Sequence, residues 1–188
     1  MGIMDKYYYL AAQLPLLKPD MDSPPTLRWF LDEARKWLSP GDYLKVESAS
    51  IRHYQKTPYA SRTAIRYADF EKKLRSELVR YRKARKEDHE YRLQGFSQNL
   101  VKEGNPLEIE KKLILKRWAY LDELEFGHYS DVDFLVITAL KIQLLERLMS
   151  FDKDKGMETF ESVVSETLSG GVEGDEKSTE MNENDKNN

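Results

Sequence analysis

The stretch that most constrains the fold is residues 130–149, SDVDFLVITALKIQLLERLM. Val132, Phe134, Leu135, Val136, Ile137, Leu140, Ile142, Leu144, Leu145 and Leu148 spread around most of a helical wheel. Asp133, Lys141, Glu146 and Arg147 interrupt that surface at separate angles and leave no single polar face. A helix that is apolar on nearly every side is packed by neighbours all round. Its start is marked by Ser130 followed by Asp133, the spacing of a capping box. Four charges in so short a run argue against a membrane span. The stretch is therefore expected to be the central helix of a soluble domain.

Upstream, KYYYLAAQLPLLKP opens with Tyr7, Tyr8 and Tyr9, and Ala11, Ala12 and Gln13 favour a short helix ending before Pro15. Three adjacent tyrosines point three ways on a helix, so at least one should meet solvent or a partner. After a proline-rich connector over 18–25, Leu27, Phe30, Leu31, Ala34 and Leu38 fall at core spacing. Ser39, Pro40 and Asp42 start a further helix with a serine cap, proline at its first position and an acid behind it. Residues 61–92 hold no proline or glycine, and Tyr67, Phe70, Leu74, Leu78 and Tyr81 make a narrow apolar seam. Beyond Tyr81 the run RKARKEDHEYR is almost wholly polar, so this half of the helix is expected to project.

A loop over 94–104 leads to a helix begun by Asn105, Pro106 and Glu108 and closed by Gly127 in a left-handed cap. With the central helix it should form an antiparallel hairpin. A last amphipathic helix is expected over 157–168. Residues 169–188 carry six acids and two lysines without an aromatic residue, and are expected to be a disordered acidic tail. The expected fold is all-α: one helical domain over 1–168, with a long, partly projecting helix, and the tail.

Chemistry is sparse in this chain. The absence of cysteine excludes disulfides, thiolate nucleophiles and cysteine-ligated metals. No Walker loop, dinucleotide fingerprint, HExxH or nucleophile elbow is present. His128 with Asp131 and Asp133 only superficially resembles a metal cluster, so neither metal nor cofactor is expected, and no catalytic residue. Lys141 and Glu146 on the central helix are expected to reach polar partners or the domain edge rather than to mark catalysis.

The basic segment is the stronger candidate. Between Arg62 and Arg92 eleven lysines and arginines face six acids. Arg82, Lys83, Arg85 and Lys86 have the chemistry to grip an acidic protein surface or phosphates. Of the chain's 33 acids and 30 bases the tail holds six and two, which leaves the body close to neutral. A neutral body argues against bulk capture of nucleic acid.

Two stretches carry a family resemblance. NPLEIEKKLILKRWAYLDELEFGHYSDVDFLVITALKIQLLERLMSFDKDKGMETFESVV and the opening KYYYLAAQLP with LSPGDYL resemble a small bacterial family of uncharacterised proteins encoded among V-type (A/V-type) ATPase subunits. ADFEKKLRSELVRYRKAR fits as well, so the resemblance covers roughly residues 5 to 165. It implies a non-catalytic subunit or assembly/adaptor protein of that rotary ATPase, with its other subunits on the stalk or membrane-ring side as partners. By analogy it implies a shortened counterpart of the helical C/d adaptor of the central stalk. The protein would be cytoplasmic, peripheral to the inner membrane through the complex, and would take no small-molecule substrate. The family offers no site residues to carry over; from the basic segment and the tyrosine run themselves, the partner-binding residues would be Arg82, Lys83, Arg85 and Lys86, with Tyr7, Tyr8 and Tyr9. The alternative is a nucleic-acid-binding helical protein acting through residues 62–92.

Overall fold

A computed structural model describes residues 7–52, 59–102 and 104–151. Every regular element among them is a helix: α1 (Tyr8–Gln13), α2 (Leu27–Trp37), α3 (Pro40–Glu47), α4 (Arg62–Lys86), α5 (Asn99–Lys102), α6 (Pro106–Glu125) and α7 (Val132–Met149). The fold is all-α. The chain divides into two units, Met1–Met149 and Ser150–Asn188, and these helices all lie in the first. The helix expected over 157–168 and the tail over 169–188 lie outside the described residues.

The core is built around α7, which packs against α2, α3, α4 and α6. Ten of its residues are buried, in an unbroken run from Leu135 to Ile142 and then Leu144 and Leu145. Beyond its first turn, its polar side chains are engaged. Thr138 Oγ1 donates to the Phe134 carbonyl (2.9 Å), which satisfies a buried hydroxyl inside the helix. Gln143 Nε2 donates to the Ala49 carbonyl (2.9 Å) while its Oε1 accepts from the Ile51 N–H (3.1 Å), tying down the chain after α3. Lys141 is buried, pairs with Glu125 and with Asp122 Oδ1 (2.7 Å), and lies over the Trp118 ring. Glu146 is exposed and accepts the Leu27 N–H (2.8 Å), satisfying one free donor at the start of α2.

The pairs Lys141–Asp122 and Arg147–Glu110 fix α6 and α7 as an antiparallel hairpin. Asn105 and Glu108 form the full capping box of α6. Gly104 just before it has φ +109, and a Cβ there would lie 2.5 Å from the Glu108 carboxylate. Gly127 takes φ +90 past the end of α6, as its position predicts. The start of α7 differs from expectation by one residue. Asp131, not Ser130, is the cap: its Oδ1 accepts the Phe134 N–H (2.9 Å), and its Oδ2 meets His128 Nδ1 (2.6 Å).

The larger correction concerns α4, which ends at Lys86 rather than running on to Arg92. The His89 N–H donates to the Ala84 carbonyl (2.8 Å) and the Asp88 N–H to that of Arg85 (3.4 Å). Asp88 itself lies at φ 57. This is a Schellman termination with aspartate where glycine is usual. The chain then turns back. Leu93 and Val101 are buried with Leu74, Leu78 and Leu113, and Tyr81, Tyr91 and Phe96 pack around them. The expected loop over 94–104 thus contains α5 and closes one end of the core.

Candidate functional site

Two surfaces carry the residues singled out by the sequence. The first is built where α1 meets the junction of α2 and α3. Tyr7 anchors it: its N–H donates to the Ser130 carbonyl (2.6 Å) and its hydroxyl to Asp42 Oδ2 (2.7 Å). Burial, then the hydrogen bond to Asp42, pushes the Tyr7 hydroxyl up from its ordinary pKa. Burial opposes ionisation of Asp42 as well, but the hydrogen bonds from Lys45 and Tyr7 outweigh it and hold the carboxyl below its ordinary range. Tyr7 is half-buried and is thus held at both its backbone and its hydroxyl.

Tyr8 and Tyr9 differ from it, being 61% and 57% exposed. The Tyr9 ring lies 4.4 Å from that of Trp37, itself 45% exposed. A shallow hollow runs from Tyr8 and Tyr9 to Trp37 and Leu38. The part played by Trp37 is not legible in the sequence, because its helical spacing attaches it to α2 and says nothing of its proximity to α1.

The second surface is the end of α4. Arg82, Lys83, Arg85 and Lys86 are all exposed. Lys83 reaches Glu87 at 3.9 Å. Cations in the last turn also suit the partial negative charge of a helix C-terminus. These four cations are thus displayed on a helix end that is fixed from below. Glu77 does the fixing. Its Oε2 accepts the Tyr91 hydroxyl (2.9 Å) and the Gln94 N–H (2.8 Å), while Oε1 accepts from Arg80 (2.9 Å). The Gln94 N–H, then Tyr91 and Arg80, hold the Glu77 carboxyl below its ordinary pKa. The Glu77 side chain is buried beneath the turn it organises.

Nearer the start of the same helix, Glu71 is buried and takes three N–H groups: Arg117 Nε (2.9 Å), a terminal Arg117 nitrogen (3.0 Å) and Arg75 Nε (2.6 Å). Burial opposes its charge, and the two guanidiniums overcome that and keep it ionised. Neither Glu71 nor Glu77 stands out in the sequence, because each reads as half of an i, i+3 or i, i+4 surface pair. The structure brings no candidate tyrosine together with the basic end of α4. Among the described residues no group of three or more His, Cys, Asp or Glu is placed to hold a metal ion. His128 is engaged with Asp131 at the start of α7.

Residues 70–171, more than half of the chain, match one family. The protein belongs to DUF2764, a family of proteins of unknown function. No curated protein and no solved structure matches the chain. The matched span takes in most of α4 with its basic end, α5, α6 and α7. The tyrosine surface, carried by α1 and α2, lies before it. In this DUF2764 protein the two surfaces therefore differ in kind: one is part of the family's own helices, the other is built on the segment preceding them.

Proposed function

We propose that this DUF2764 protein is a non-catalytic subunit or assembly/adaptor protein of a bacterial V-type (A/V-type) rotary ATPase, acting at the stalk. The observation that carries a docking role is the end of α4. Four exposed cations stand on a helix whose termination is braced by Glu77. A braced backbone loses little further entropy on binding, which favours affinity for an acidic partner face. The exposed Tyr8, Tyr9 and Trp37 offer a second contact of the aromatic kind that anchors interfaces. The ATPase as the partner assembly, and the place of a C/d-type adaptor within its central stalk, come from the resemblance of residues 5–165. No helix among the described residues is long and apolar enough to cross a membrane. Attachment to the inner membrane from the cytoplasmic side would then run through the complex.

The test is affinity purification of the tagged full chain from native membranes, with identification of the proteins that accompany it. Stalk or ring-side ATPase subunits are the expected companions. Recovery of the chain without any ATPase subunit, under salt and detergent that preserve the ATPase, refutes the assignment. A second reading, nucleic-acid binding through α4, is favoured by the same exposed cations. It requires affinity that falls steeply with added salt through counterion release. Nucleic-acid retention that depends only weakly on salt, or none at all, removes it.

A further inference from the structure

Between α4, α6 and α7 lies an open cleft of about 500 Å³ whose walls carry Arg52, Arg75, Arg82, Arg117 and Arg147. Among the described residues Glu110 is the one acid on its lining, and Glu71 lies behind Arg75 and Arg117. Counted over the described residues, five arginines against two glutamates give an excess of positive charge in a space of small-ligand size. The charge is also pre-arranged. Glu71 holds Arg117 through two N–H groups and Arg75 through a third, and Glu110 holds Arg147 through Nε and a terminal nitrogen. Burial works against the charge on Arg117, but Glu71 outweighs it and the group stays cationic. Among the described residues no carboxylate pairs with Arg52 or Arg82.

We propose that this cleft is a binding site for a compact polyanion, a diphosphate or triphosphate group, with Arg52 and Arg82 as the principal ligating cations and Arg117 at the base. Guanidinium offers paired N–H donors that match phosphate oxygens, and several arginines lining one small space favour a ligand whose charges are equally concentrated. An acidic peptide spreads its carboxylates along an extended chain and satisfies such a cleft less well. Ile51 and Val79 add an apolar rim where an organic body attached to the phosphate can rest. The site is independent of the ATPase assignment.

The test is calorimetric titration of the full chain with inorganic pyrophosphate, ADP and hexaglutamate at physiological salt. Saturable one-to-one binding of pyrophosphate is expected, weakened at least about tenfold in Arg52→Ala/Arg82→Ala. Lys83→Ala/Lys86→Ala removes the same number of positive charges, both from the end of α4 that carries Arg82, and is expected to change affinity by less than about twofold. Arg82→Lys keeps the charge without the fork and should weaken binding by an intermediate amount, which separates geometry from mere loss of fold. Tighter binding of ADP than of pyrophosphate places an organic body on Ile51 and Val79, whereas equal or weaker binding makes a free oligophosphate the ligand. Both support the site. Absence of saturable pyrophosphate binding, equal weakening by the two double variants, or tighter binding of hexaglutamate overturns it.

Discussion

Along α7, Leu135, Ile137, Leu140, Ile142 and Leu144 are buried among neighbouring helices, whereas two of the six buried residues of α4 are glutamates. Both helices are integral to the same core, yet different forces seat them. The apolar surface of α7 is removed from water in all directions, a non-directional contribution that does not depend on pH. On α4 the apolar seam is narrow, and Glu71 and Glu77 supply the remaining attachments through directed, charge-assisted hydrogen bonds. Glu71 draws in Arg117 from α6, and Glu77 draws in Tyr91 and Gln94 from the returning chain. Burial thus sets where a helix lies, while buried carboxylates set which cations are committed to the fold and which remain for a partner.

The sharpest break in this comparison is expected from Leu140→Ala. The side chain is 1% exposed midway along α7, so truncation should cost on the order of 2–5 kcal/mol in denaturant unfolding. The cost should be the same at acid and neutral pH. A loss below about 1 kcal/mol contradicts the central position of α7.

Glu71→Gln should come next, at about 3 kcal/mol near neutral pH, because it leaves the Arg117 charge enclosed without its partner. Its pH dependence carries the distinction. The folded Glu71 carboxyl lies below its ordinary value of 4.5, so its contribution is complete above that pH and is lost as pH falls through the folded value. The wild-type protein should therefore lose stability on acidification below about pH 4.5, and Glu71→Gln should lose less over the same interval. Parallel acid limbs for the two proteins, measured by unfolding midpoints, contradict the role given to Glu71.

The smallest effect is expected at the turn. Asp88 adopts a left-handed conformation that favours glycine, so Asp88→Gly should stabilise by about 0.5–1 kcal/mol. A destabilisation of similar size means that the aspartate carboxylate holds the turn by a contact of its own.

How much of this is legible in the sequence follows the range of the interactions. Ser39 with Pro40, and Asn105 with Glu108, declare helix starts through groups three residues apart or closer, and both caps form as read. The encirclement of α7 is legible too, since a helix without a polar face has to be enclosed. The end of α4 is not. Good helix formers continue to Arg92, and the glycine that normally marks a Schellman turn is replaced by Asp88. What reverses the chain there is Glu77, acting on groups 14 and 17 residues away. The shift of the α7 cap from Ser130 to Asp131 has a more local cause: both residue types cap well, and adjacent candidates give the same pattern. The arginine cleft is wholly hidden, because its residues come from three helices and the segment after α3.

If the basic end of α4 is displayed for a partner while the fold is secured elsewhere, reversing its charge should separate binding from stability. The variant Arg82→Glu/Lys83→Glu/Arg85→Glu/Lys86→Glu, compared with the wild type for thermal midpoint and for co-purification with ATPase subunits at physiological salt, makes that separation measurable. These four side chains are exposed, so the midpoint should stay within a few degrees, whereas like-charge opposition should weaken recovery of the partner severely. Full co-purification with an unchanged midpoint contradicts the display of this helix end and moves the contact to Tyr8, Tyr9 and Trp37.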